Sequence, residues 1–155
     1  MPHIPEDTDP NDWHRYFAME CNNRAWQLAA QSRTTEEDLE MLNAAHASAF
    51  HWATMGAELN DMRAKTLLAE VHALLGYGAS ALKYVNEVKS YFLARETEDW
   101  ELAYIHVIHA RAAAAAGESQ LHRESYAAAV PAIAAIADDE DRKIVLQAFE
   151  QVPPP

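Results

Sequence analysis

His106 and His109 stand three residues apart in a stretch with helical spacing, so their imidazoles share one face. Two histidines on a face are the beginning of a metal site, and the chain carries eight histidines in all. A third ligand would have to come from the second or third helix, which hold His46, His51 and His72. His46 and His51 are five residues apart, about 140° around a helix, so an undistorted helix cannot aim both at one ion. Glu70 lies two residues before His72, on a different face. The Glu-x-x-His pairs of di-iron bundles are absent. So are His-Glu-x-x-His and the Cys/His spacings of zinc sites. The competing reading is of histidines held by hydrogen bonds in a core or along a groove.

Cys21 is the single cysteine, and its neighbour is Glu20. A nucleophilic thiolate needs a base and an electropositive setting. An adjacent carboxylate works against both, so a buried thiol is the simpler reading. Four tryptophans, at 13, 26, 52 and 100, could form a ligand cage, but helical spacing and large apolar area favour core. There is no glycine-rich phosphate loop and no Gly-x-Ser-x-Gly elbow. The sequence therefore points away from an enzyme and calls for no cofactor.

Composition narrows the partners. The net charge is −12, with 24 acids against 12 lysines and arginines. A phosphate backbone needs a basic footprint, so nucleic acid is not an expected partner. No apolar run is long enough for a membrane span. The start, MPHIPEDTDP, lacks the basic and apolar segments of a signal peptide. With one cysteine and no internal disulfide, a reducing, cytoplasmic setting is expected.

The elements that would position these residues read as helices. Half the residues are hydrophobic and only four are glycine. Residues 62–93 show it best. Ala64, Leu67, Leu68, Val71, Leu74 and Leu75 recur every three or four residues, then Gly76-Tyr77-Gly78 interrupts, then Ala81, Val85, Val88 and Phe92 resume. A break this short makes an antiparallel helical hairpin. Gly76 supplies the left-handed conformation that closes a helix.

Other boundaries follow from capping chemistry. Asp9 and Pro10 open the first helix, which ends near Ser32 and is rich in aromatics. Thr34 and Glu37 make a capping box for the second, which reaches about Met55, stops at Gly56 and is apolar on more than one face, as a largely buried helix would be. Asn60 or Asp61 caps the third; the fourth ends near Arg95. Thr97 caps the fifth, which is apolar around most of its circumference and stops at Gly117. Ser119 caps the sixth, where Pro131 should kink or split the helix. Asp138 to Asp141 puts negative charge at the start of the seventh. The expected core joins the second, third and fifth helices through Trp52, Leu68, Val71, Leu75, Tyr104, Val107 and Ile108. Residues 1–9 read as a flexible tail, 10–151 as one helical domain and 152–155 as an extended proline-rich tail.

The turns near Arg33, at Gly76 and at Gly117 recur at similar intervals, the last two 41 residues apart. Such an interval marks stacked hairpins. Leu68-Ala69, Gly76 and Ala81, followed by Val85 and Val88, resemble the hairpin pattern of tetratricopeptide repeats (TPR). Ala110, Gly117, Tyr126 and Ala129 repeat it, with His109 at an aliphatic position and His122 at a small one. The resemblance covers residues 62–130, at an interval longer than that family's 34. It implies an all-α fold of about seven helices, with antiparallel hairpins stacked as a TPR-like right-handed array or a compact bundle. It also implies a scaffold whose groove binds a protein or peptide, exposing Arg63, Glu70, Tyr104 and Arg111. Two arginines there could clamp a carboxylate, and Tyr104 would offer a flat apolar surface; the rival reading pairs Arg111 with a nearby acid and puts Tyr104 in the core. The alternatives are a small metal- or ligand-binding helical protein built on His106 and His109, and a bundle that works as a homodimer.

Overall fold

The computed structural model describes residues 7–155; most of the expected N-terminal tail, residues 1–6, lies outside them. Among the described residues the fold is all-α, with seven helices: α1 Pro10–Ala29, α2 Thr35–Met55, α3 Glu58–Leu74, α4 Gly78–Leu93, α5 Asp99–Ala116, α6 Ser119–Ala134 and α7 Asp139–Glu150. Where the sequence suggested one helical domain, the chain divides into two compact units, up to Leu67 and from Leu68 onward, with the boundary inside α3. Among the described residues no helix is long and apolar enough to cross a membrane.

Short-range capping chemistry sets several boundaries as expected. The Asp9 carboxylate accepts the Asn11 amide hydrogen bond at 2.9 Å, with Pro10 in the first turn. Thr34 and Glu37 exchange both bonds of a capping box. Asp138 accepts from the amides of Glu140 and Asp141. Gly76 and Gly117 adopt φ of 80° and 72°, where a β-carbon would be strained.

Other expectations fail for identifiable reasons. α3 begins at Glu58, so Asn60 and Asp61 lie inside its first turn, and Asp61 pairs with Lys65 one turn on. The Thr97 hydroxyl donates backwards to the Phe92 carbonyl at 2.8 Å; it closes α4 and leaves α5 without a side-chain cap. Ser119 is the first residue of α6 rather than its cap. Pro131 does not split α6: only three residues follow it, and the Ala135 amide closes the turn on the Pro131 carbonyl. After α7 the chain is not helical, but it is held. Val152 is buried, and the Pro153 carbonyl lies 2.8 Å from Nε2 of His122.

In the first unit α1 packs on α2. Ser48 Oγ donates to the Ala18 carbonyl, His14 meets His51, and Arg24 meets Glu40. Later residues of α1 face earlier residues of α2, so the pair is antiparallel. Arg33 fastens the connection, binding Asp38 at 2.6 Å and the carbonyls of Leu28 and Gln31.

The second unit is organised around α5, which packs against α4, α6 and α7. Its core includes Val107, Ala110, Ala129, Ile133, Ile136, Val145 and Val152. A helix apolar on every side needs neighbours on every side, and α5 is buried continuously from Val107 to Ala113. α4 crosses its C-terminal end so closely that a β-carbon on Gly78 would collide with the backbone of Ala115 and Ala116.

Among the residues expected in the core, Leu68, Val71, Val107 and Ile108 are buried. Trp52, Leu75 and Tyr104 are half-buried. α2 is not largely buried: only Met41, Ala45 and Ser48 are, while Phe50 is 66% exposed.

Candidate functional site: an aromatic face

Three of the four proposed groove residues come together, but not on an open surface. Glu70 and Arg111 are buried, with Arg111 Nε 3.4 Å from Glu70 Oε2. Arg111 Nη2 also donates to the Ala148 carbonyl at 2.8 Å, tying α5 to α7. Tyr104 stands beside them. Burial, then the charge of Glu70, push its hydroxyl well above the ordinary tyrosine range, against an opposing effect of Arg111. Glu70 and Arg111 are therefore corrected from exposed groove positions to a buried ion pair. A buried guanidinium that faces Glu70 through Nε and donates to a backbone carbonyl through Nη2 is not available to clamp a partner's carboxylate. Arg63 is exposed, on the part of α3 that belongs to the first unit.

His106 and His109 do share a face of α5. His109 is buried and His106 half-buried. The Lys89 ammonium lies 3.4 Å from Nδ1 of His109. Burial first, then Lys89 and His106, push His109 down to about 4. His106 is lowered by burial and by Lys89. These rings are neutral, as metal ligands must be, but an ammonium at their edge repels a cation. Among the described residues no group of three or more His, Cys, Asp or Glu converges to hold a metal. Cys21 is half-buried, and burial, then Glu20, raise its thiol above the ordinary value, the reverse of an activated nucleophile.

An open cavity of about 650 Å³ lies between the α4–α5 and α6–α7 connections, lined by Glu96, Glu98, Asp99, Asp138, Asp141 and Trp100. Two of its acids have structural duties. Asp99 accepts from the Ala137 amide and Asp138 caps α7.

Of the surface that stands out, the sequence reading put Trp13 in the core and noted Tyr16 and Phe17 only as part of an aromatic-rich helix. On α1, Trp13, Tyr16 and Phe17 are 49%, 52% and 43% exposed. Their rings touch one another, Trp13 stacking on Phe17 with centroids 6.0 Å apart. Phe17 stacks on His51 of α2 at 5.8 Å, and Phe50 meets His51 edge-on at 5.5 Å. The result is one contiguous aromatic face across both helices.

His14 and His51 knit this face together. Their Nδ1 atoms are 2.8 Å apart and their ring centroids 5.0 Å. The rings thus meet nearly head-on, one Nδ1–H donating to the other's lone pair. Burial, then His14, lower the pKa of His51. The second half of α2, residues 43–55, contains no Asp, Glu, Lys or Arg, in a chain of net charge −12. The His14–His51 contact, 37 residues apart, escaped the sequence reading, which weighed His51 only against His46. The antiparallel pairing that sets Ala18 against Ser48 would have brought it out.

No family model matches the chain, and neither a curated protein nor a solved structure does.

Proposed function

We propose that the protein is a non-enzymatic interaction module that docks a protein partner through the aromatic face of the α1–α2 hairpin. The observation that carries this is the ring cluster of Trp13, Tyr16, Phe17 and Phe50, exposed together on one face of the hairpin. Contiguous exposed apolar patches mark binding surfaces far more often than scattered apolar residues do. Trp and Tyr are the residue types that most often dominate binding energy when a partner desolvates them.

The hairpin resemblance points to the same class of function. The contact surface differs from the expected groove, because Glu70 and Arg111 are occupied with each other.

Photo-crosslinking tests the reading. A benzophenone side chain replaces Phe50 in one variant and the exposed Gln120 of α6 in another, and both are irradiated in the native host. A discrete crosslinked product at position 50 and none at 120 is expected. Equal yields at both positions, or none at 50, would remove the aromatic face as the contact surface.

A further inference from the structure

The charge distribution and the size of the aromatic face together point to its occupant, and we infer that it is a second copy of this chain. The inference rests on the interaction reading above and names its partner.

Area comes first. An aromatic side chain offers about 200 Å², so Trp13, Tyr16, Phe17 and Phe50 at their observed exposures present roughly 400 Å² between them. A stable interface takes about 800 Å² from each partner. The four rings supply about half of that as an apolar centre, leaving the remainder for a polar rim.

Charge comes next. Two copies of a chain with net charge −12 repel at most of their surface. They can approach most closely where formal charge is sparse: residues 43–55 of α2 carry none, and on α1 the exposed Arg15 offsets part of the charge of Asp12 and Glu20 beside the rings. A basic partner would gain nothing from this face and would be drawn to the acidic ones. The histidines fit the same picture, because each Nδ1 of the head-on pair has the other as its hydrogen-bond partner and so can be covered by another apolar surface without losing it.

Shape comes last. Two antiparallel helices present a nearly flat face, and a flat face is self-complementary under a twofold axis. Two such hairpins meeting face to face make a four-helix contact of ordinary geometry.

Sedimentation velocity of the purified full-length protein, from low micromolar to several hundred micromolar, tests this. The wild type is expected to shift from monomer to dimer across the range. Phe50→Glu, which places a charge in the centre of the face, should weaken the dimer at least tenfold while keeping the helical circular dichroism signal. Trp13→Ala should weaken it by a smaller factor. A wild type that stays monomeric throughout, or a Phe50→Glu variant that dimerises as tightly as the wild type, would overturn the inference. The two readings fail separately. A monomeric wild type whose position-50 crosslink is to a different protein removes the second copy and leaves the docking face. Absence of any crosslink at position 50 removes the face itself.

Discussion

The α1–α2 hairpin and α5 are both rich in apolar residues, and they use them in opposite ways. α5 buries Ile105, Val107 and Ile108 along with alanines 103, 110, 112 and 113. Its short side chains let α4, α6 and α7 approach on different sides. The hairpin turns mostly small residues inward: Ala18, Ala25 and Ala29 from α1, Ala45 and Ser48 from α2, with Leu28 and Met41 as the large exceptions. Four of its aromatic rings, Trp13, Tyr16, Phe17 and Phe50, point outward, while Trp26 and Trp52 are half-buried. A core stabilises by burying its largest side chains. A hairpin that buries its alanines and exposes those four rings gains little from them within its own chain. The contrast teaches that apolar content alone does not locate a core, and that a face built of unburied rings is where a partner would add most.

The sharpest way to break that contrast is Ile108→Ala. Ile108 is fully buried on α5, and truncating a buried isoleucine costs about 2–5 kcal/mol through lost transfer energy and the cavity left behind. Urea unfolding followed by circular dichroism measures it. A loss under about half a kcal/mol, the range of surface changes, would mean that α5 is not the centre of the second unit.

How far the sequence carried this picture depended on the range of each interaction. Caps are decided within four residues, so Asp9, the Thr34–Glu37 box and Gly117 were legible. Thr97 misled because a threonine hydroxyl between two helices can serve either, and here it bonds the one behind it. Gly78 was read as part of a turn; its β-carbon is excluded by the backbone of a helix more than thirty residues away, which no local pattern reports. Periodicity showed that α5 is apolar all round and correctly implied several neighbours. The same reasoning buried α2, because it could not tell a helix with neighbours on every side from one whose second apolar face is left uncovered. Arg111 and Glu70 were placed on a groove by resemblance; the rival reading already paired Arg111 with a nearby acid, but that the acid is Glu70 of another helix was beyond a one-dimensional view.

A middle-sized effect is expected in the pH dependence of the second unit. His109 is buried against Lys89 and beside His106, and is pushed from an ordinary 6.5 down to about 4. Between those values the unfolded chain takes up a proton that the folded chain refuses. Stability from this group is therefore fully present above about pH 6.5 and is lost as pH falls toward 4. One group contributes at most about 1.4 kcal/mol per pH unit. Carboxylates titrate in the lower part of the same window, so the quantity to compare is the difference between wild type and His109→Gln. The variant should show a shallower loss of stability from pH 6.5 to 4.5. Identical slopes would mean that His109 is protonated in the folded state, and that its burial beside Lys89 is not as described.

The smallest effect expected on stability is at the other end of the comparison. Phe50 is two-thirds exposed and touches mainly the edge of His51. Phe50→Ala removes a ring that the isolated chain scarcely buries, so its unfolding free energy should change by no more than about half a kcal/mol. The same substitution in a core would cost several times that. Protein concentration separates the two roles. At low micromolar concentration, where the monomer prevails, wild type and variant should unfold together. At high concentration the wild type alone should gain, because association with a second copy stabilises the folded state by mass action. A variant strongly destabilised even when dilute would show that Phe50 belongs to the hairpin's own core. The outward-facing aromatic surface would then be packing that the exposed rings had disguised.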